Sequence, residues 1–519
     1  MLPGVTSVSK WLVVAQRAGA LSGDFAFNVA CGCPEAWASA LARKILRLSG
    51  QIKHFTLLAA CLASASAGFA SSTPRDGRVH VVYWEKCIDF QAKAMQEVVD
   101  RFNRSQDKIF VEYYATSAVE RKTLVATAGG DPPDIAGMWT QNVAAYADAG
   151  ALTPLDDFIH ADGMTNEQWL GRYYPAFAKI CEHAGHVYAG TSTPGAFAFH
   201  WNKTMFREAG LDPDRPPRTL AELNEYQKRL TKFDPKTGEI LQVGFLPAEP
   251  GWWTSVFYPW FGGSLFDGRE ITLGTNPHNL EAANWIAGIT KDLGLDRLRR
   301  FRASFGQEAS AEAPFFVGKV AMVIQGVYYN NYVRQYKPGL DIGVGPWPEI
   351  VPGVKDFAMV ESDMLVIPRG AKHAREAWEF VRYVNTSNPH AQRREELEGA
   401  ELLCYLQEKN SPLREWSPFF EQHHPHPYIA MFRELSSSPH AVAVPNMGMW
   451  QEYDREIVAL FEKVWLLVAT PEDAINYAHR RMTDSWVRYR RSLMRHGQFA
   501  AAGYAAPNSA EKNSENAKP

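Results

Sequence analysis

VHVVYWEKCIDFQAKAMQEVVDRFNRSQDKIFVEYYATSAVERKTLVATAGGDPPDIAGMW, residues 79–139, is the stretch whose pattern decides the fold. Val79, Val81 and Tyr83 alternate as in a strand, which ends at Trp84-Glu85. Ala94, Met95, Val98, Val99 and Phe102 follow at helical spacing, and Asn103 stands at the helix end. Ile109, Val111 and Tyr113 form a second alternating run. A helix through Leu124 and Val125 stops at Gly129-Gly130, and Pro132-Pro133 leads into a third strand, Asp134 to Met138. Strands separated by single helices are βαβ units around a largely parallel sheet, so the expected class is α/β. Ligands of such sheets bind at the carboxyl ends of the strands. Trp84, Glu85, Trp139 and Gln141 stand at those ends.

Outward from this core, 519 residues are too many for one hydrophobic core and call for two or more lobes. Apolar residues at 46% and charged residues at 21% are ordinary for a soluble globular chain. A net charge of −3 without long single-sign runs gives no basis for a nucleic-acid partner. With 16 Trp, 20 Tyr and 28 Phe the chain is rich in flat apolar faces of the kind that stack on sugar rings.

Residues 1–70 read as an address rather than fold. Arg43, Lys44, Arg47 and Lys53 precede the apolar run Phe55 to Leu62, and small residues follow to Ala70, the order of a secretory signal peptide. The run is too short for a membrane anchor. Two processing routes fit: cleavage between Ala65 and Ala70, or lipidation of Cys61 in Leu58-Ala59-Ala60-Cys61. Met1 to about Gly50 has no role in either, and a misassigned start accounts for it. At the other end, residues 500–519 read as a disordered tail. Of the cysteines, Cys87, Cys181 and Cys404 remain after export, without a disulfide framework or zinc spacing; which of them pair, if any, is left open. His423, His424 and His426, interleaved with prolines, read as a solvated loop. No Walker loop, G-x-S-x-G or H-E-x-x-H occurs, so no catalytic residue, metal or cofactor is expected.

Further motifs share one order. Gly130-Asp131-Pro132-Pro133-Asp134-Ile135 is followed by Tyr146-Ala147-Asp148-Ala149-Gly150-Ala151-Leu152 and Leu155-Asp156. Trp201-Asn202-Lys203, Phe206 to Gly210 and Pro216-Pro217-Arg218-Thr219 come next. Phe316-Val317-Gly318-Lys319-Val320-Ala321-Met322 with Gly326, then Ile367-Pro368-Arg369-Gly370-Ala371-Lys372 and Ala377-Trp378-Glu379-Phe380, complete the series. In this order the chain resembles the bacterial extracellular solute-binding proteins, in particular sugar-binding members of the maltose-binding-protein type, over residues 78–490. The motif residues themselves read as scaffold: Thr219 caps a helix and Gly318 suits a helix end before a strand.

The resemblance implies a two-lobed periplasmic binding protein fold of type II, each lobe a sheet flanked by helices, with crossing segments as the hinge. Lobe 1 is expected to comprise 76–190 and 342–388, and lobe 2 to comprise 195–335 and 392–495. Crossings are expected at Thr191–Pro194, Tyr336–Asp341 and Thr386–Pro389. Carried over by position, the substrate-binding residues are Trp84, Glu85, Trp139, Gln141, Glu249, Trp252, Trp253, Tyr328, Asp363 and Trp450. Trp252 and Trp253 are adjacent, so one of them is expected in the core. Gln141 and Asn142 stand where maltose-binding members carry charges, so the sugar is not fixed by resemblance.

The implied function is an extracytoplasmic, monomeric protein that captures a sugar or oligosaccharide and delivers it to an ABC transporter permease. The rivals are a sensor or adhesion module without a transporter, and a binding protein for a non-sugar solute. A glycosidase is disfavoured because Asp156-Asp157, the visible carboxylate pair, falls in a scaffold motif.

Overall fold

Three parallel strands begin the sheet: β1 (Val79–Glu85), β2 (Ile109–Ala115) and β3 (Ile135–Trp139), with β1 in the middle. The computed structural model describes residues 76–86, 89–495 and Tyr504. The signal segment, Cys61, Cys87 and the tail apart from Tyr504 lie outside the described residues. Val81 and Tyr83 face the core while Val82 and Trp84 face outward, the period of two that the sequence shows. The helix Asp89–Ser105 returns the chain to β2, and Val119–Ala128 returns it to β3.

The remaining strands are β4 (Glu182–His183) and β5 (His186–Val187), a separate hairpin, then β6 (Ala189–Asn202), β7 (Lys232–Phe233), β8 (Ile240–Phe245), β9 (Val320–Gly326), β10 (Ile342–Gly345), β11 (Ala358–Val366) and β12 (Ala441–Val442). The main sheet runs β2-β1-β3-β11-β6-β9-β8-β7. It is mixed rather than largely parallel: β11 is antiparallel to β3, β6 to both β11 and β9, and β9 parallel to β8. The alternating strand–helix pattern of the first sixty residues does not extend to β11 and β6, which come from distant parts of the chain.

β6 carries the architecture. Its first half, small residues from Ala189 to Ala196, pairs with β11; its second half, Phe197 to Trp201, pairs with β9. All fourteen residues are buried. Two hydrophobic cores lie on either side of that change. Tyr83, Trp169, Phe177, Trp378 and Phe380 fill the first. Phe199, Phe245, Trp260, Trp347, Phe461 and Trp486 fill the second. The protein is therefore two-lobed, with one hydrogen-bonded sheet continuous through both lobes.

Three of the places where the cores change hands are Ala196 to Phe197 on β6, Phe357 to Val360 at the start of β11, and the β12 segment ahead of Met447; Val327 and Val344 also reach the first core. β12 pairs with Ala358 and Met359, and Val360 pairs with Ala196, so the three crossings lie side by side. The second and third differ from the Tyr336–Asp341 and Thr386–Pro389 positions expected from sequence. The reason is packing: Leu397, Leu402, Leu403, Phe420 and Phe432 bury themselves in the first core. Residues 391–435 thus form a helical addition to lobe 1, where the sequence suggested lobe 2. Of the three histidines read as a solvated loop, His423 is exposed, but His424 and His426 are not solvated. His426 is buried against Phe432, and burial pulls its imidazole down to about 3 and that of His424 to about 4.

One buried side chain ties the helix Ala374–Val384 to β6. Asn385 Oδ1 accepts from the Thr191 amide at 2.7 Å, the Thr191 hydroxyl at 2.9 Å and the Tyr173 hydroxyl at 2.8 Å. Its amide donates to Val381 O at 2.8 Å. Gly190 makes room, since a Cβ there would overlap the Asn385 amide. Asn385→Ala leaves three buried donors without an acceptor. Unfolding by urea should show a loss of about 3 kcal/mol, at one to three per orphaned group with partial relaxation.

Candidate functional site

The carboxyl ends of β1 and β3 and the middle of β11 meet at one spot. Register places Asp363 directly beside Trp139. Lys86, just past the end of β1, reaches over: its Nζ lies 2.5 Å from Asp363 Oδ1 and 3.3 Å from the centroid of the Trp139 indole. The ammonium is held by a carboxylate on one side and an aromatic face on the other. Trp139 nevertheless remains 44% exposed. Asp363 Oδ2 accepts from the Thr193 hydroxyl on β6. Burial alone would raise the Asp363 carboxyl, but Lys86 and Lys409 hold it below its ordinary range.

Two further charged groups border this cluster. Glu361, two residues before Asp363 on β11, is pushed up to about 8 by burial and by the Asp363 charge, against the pull of Lys409 and Lys86. Lys409 is 4% exposed and extends toward Tyr328, with its Nζ 5.7 Å from the ring centroid.

The other wall belongs to lobe 2. Tyr328 follows β9, and its ring folds back over Gly326, where a Cβ would overlap it. Its hydroxyl lies 3.5 Å from Gln325 Oε1. Burial and then the Glu361 carboxyl raise the phenol, which places Glu361 within electrostatic reach across the seam. Phe197 stands edge-on to both Trp253, at 4.7 Å, and Tyr328, at 6.2 Å. Behind them Gln325 donates to Glu308 at 2.7 Å, and Arg302 binds Glu249 at 2.9 Å.

The structure thus groups Trp139 and Asp363 around Lys86 in lobe 1 and Tyr328 and Trp253 around Phe197 in lobe 2, with Glu361 and Lys409 in electrostatic reach of both Asp363 and Tyr328. Gln141 is half-buried in the first turn of the helix Thr140–Asp148 beside them. The remaining candidates are placed differently. Glu85 is fully buried: its carboxylate accepts from the Tyr83 hydroxyl and the Lys86 amide, and a Cβ on Gly137 would overlap it. It positions Lys86 from below. Trp84 lies half-buried on the opposite face of β1. Trp252 is exposed and edge-on to Trp253, which packs against the second core. Glu249 is 8% exposed in its pair with Arg302. Trp450 is 2% exposed inside the second core against Tyr453, away from the aromatic walls. Sequence reasoning passed over Lys86, Thr193, Glu308, Gln325, Glu361 and Lys409. Lys86 and Glu361 carried a signal, one residue past a strand end and two before Asp363; Lys409 carried none. Among the described residues no group of His, Cys, Asp and Glu is arranged to hold a metal ion. No helix among them is long and apolar enough to cross a membrane.

Glu308 supplies a test of this wall. Burial raises its carboxyl from 4.5 to about 7, so folding favours the protonated form. The stability it contributes is complete below pH 4.5 and is lost as pH rises through about 7. Replacing it with Glu308→Gln should remove that loss. Against the variant, wild type should lose on the order of 3 kcal/mol across this window in chemical denaturation.

Comparison with known proteins identifies the family. Residues 90–388 match the family model described as bacterial extracellular solute-binding protein. A maltotriose-binding protein of Pyrococcus abyssi is 22% identical over 318 residues, covering 60% of this chain and 64% of that protein. The match therefore spans less than two thirds of that relative's length. The sn-glycerol-3-phosphate-binding periplasmic protein UgpB of Salmonella typhimurium is 22% identical over 334 residues, covering 62% of this chain and 71% of its own. Among solved structures, CpMnBP1 with mannobiose bound superposes with a TM-score of 0.66 at 26% identity, over 78% of this chain and 99% of that one. The chain belongs to the bacterial extracellular solute-binding protein family.

Proposed function

We propose that this member of the extracellular solute-binding family captures a sugar or short oligosaccharide between its lobes, outside the cytoplasm, and hands it to an ABC transporter permease. The observation that carries the reading is a set of aromatic rings from both lobes linked through the charged groups Lys86, Asp363, Glu361 and Lys409. Trp139, backed by Lys86 and Asp363, belongs to lobe 1, and Tyr328 with Trp253 belongs to lobe 2. A sugar presents apolar C–H faces to rings and hydroxyls at its rim to charged and amide groups. Lys409, Glu361 and Gln325 stand at the rim of these rings.

The similar proteins support the ligand class: one is named for maltotriose, and another was solved with mannobiose. A binding role rather than catalysis fits the acids at the site. Asp363 is engaged by Lys86 and Thr193, Glu249 by Arg302 and Glu308 by Gln325. Such pairing shapes a rigid surface. Ligand contacts from both walls stabilise the closed arrangement, and a permease recognises that arrangement. Export follows the signal segment, with membrane attachment if Cys61 carries the lipid.

Calorimetric titration with mannobiose, maltotriose and glycerol 3-phosphate tests the reading. One of the two sugars should bind, and Trp139→Ala or Tyr328→Ala should weaken it by about 1–3 kcal/mol. Thermal unfolding without ligand should change little for Trp139→Ala, because that ring is half exposed. Binding of glycerol 3-phosphate in place of either sugar would overturn the ligand class.

A further inference from the structure

We propose that Lys409, supplied by the helical addition of residues 391–435, binds a carboxylate on the sugar, so that the site prefers a uronate saccharide to its neutral counterpart. The inference rests on the reading of the cleft as a sugar site.

Residues 391–435 lie beyond the stretch 90–388 that matches the family model, so what they add to the site is not carried by that match. The helix Gly399–Gln407 ends at Glu408, whose φ of 55° turns the backbone into the left-handed region. Lys409 follows, its amide donating to Cys404 O at 2.8 Å. On one side Gln407 O accepts from Asn331 Nδ2 at 2.9 Å and Glu408 Oε2 from Asn330 Nδ2 at 2.8 Å, while Arg334 pairs with the same carboxylate. These three partners lie on the helix Tyr329–Tyr336, which starts directly after Tyr328. On the other side Asn410 Oδ1 accepts from the Ala196 amide on β6 at 3.2 Å. Both neighbours of Lys409 are thus anchored. Its side chain is held beside Tyr328, 4% exposed, with Nζ 5.7 Å from the ring centroid.

Three observations make this ammonium a ligand group. First, it lacks a partner: Lys86 has Asp363, whereas Lys409 Nζ makes no hydrogen bond or ion pair among the described residues. A desolvated ammonium without a counter-charge is costly, and a ring near the outer limit of a cation–π contact offsets little of that cost. Second, the nearby acids do not neutralise it. Asp363 is engaged by Lys86 and Thr193. Glu361 forms no ion pair among the described residues, and its carboxyl, pushed up to about 8 by burial and the Asp363 charge, is protonated for the most part at pH 7. Third, another unsatisfied polar atom of this cluster is a donor. Trp253 Nε1 is buried without a partner, and its ring packs edge-on to Phe197, as does that of Tyr328. A cation flanked by donors complements a group that only accepts and carries one negative charge, which is a carboxylate. A phosphate would bring a second charge toward Asp363, and Arg302 and Arg334 are already paired with Glu249 and Glu408. Oxidation of a hexose at C6 places a carboxylate at the rim and leaves the C–H faces for Trp139 and Tyr328.

Calorimetry on the full chain with matched pairs tests the proposal: mannobiose, maltose and galactobiose, each against the same disaccharide oxidised to the carboxylate at C6 of both rings. At least one uronate should bind about tenfold or more tightly than its neutral counterpart, the scale of a hydrogen bond to a charged group. Lys409→Met keeps the apolar stem and removes the charge, and the uronate should then lose at least about tenfold more affinity than the neutral sugar. If that variant does not fold, the pairs on wild type decide alone. Neutral sugars binding as tightly as their uronates, or equal losses for both in Lys409→Met, overturn the proposal and leave the sugar reading standing. If no member of any pair binds, the sugar reading falls and the proposal falls with it.

Discussion

The structure depends on β6 pairing in both lobes at once, in one continuous sheet. A strand of fourteen residues hydrogen-bonds to β11 along its first half and to β9 along its second, so neither lobe is complete without it. Backbone pairing in the first half is possible because Gly190, Gly195 and the alanines leave space for Asn385 and β11. In the second half Phe197, Phe199 and Trp201 supply the bulk of a different core. The change from small to large residues within one strand is what separates the lobes while keeping them joined. Two other crossings run alongside, which confines relative motion of the lobes to rotation about this one seam.

The site follows from that seam. β11 lies next to β6 and carries Glu361 and Asp363; β9 lies on its other side and leads into Tyr328. Charged groups this close to a hinge need partners that do not depend on the lobe angle. Asp363 has them in Lys86 and Thr193, both from lobe 1. Glu361 and Lys409 border the opposite wall, beside Tyr328.

Much of this was legible in the sequence, and the boundary has physical causes. The first three strands could be read because period two and period 3.6 alternate cleanly there, and the carboxyl ends of β1 and β3 pointed to Trp139. Trp450 misled: it shares the residue type of a stacking platform, but its helix Trp450–Trp465 turns it inward onto Tyr453. Glu85 misled in a subtler way. It stands at the right strand end, yet Gly137 on the neighbouring strand admits its carboxylate into the interior. Lys409 was invisible, because residues 391–435 are an addition whose place on lobe 1 depends on distant apolar contacts and not on local pattern. The third crossing was misplaced for the same reason.

The central claim is that ligand lies between Trp139 and Tyr328, touched from both lobes, and a crystal structure of the protein grown with saturating mannobiose tests it most directly. The account predicts sugar density against the exposed face of Trp139, with at least one hydroxyl within hydrogen-bond distance of Lys409, Glu361 or Asp363 and a ring or rim in contact with Tyr328. Density instead in the groove lined by Lys179, Phe266 and Asn446 on the other approach to the crossings, with Trp139 and Tyr328 free, would contradict it.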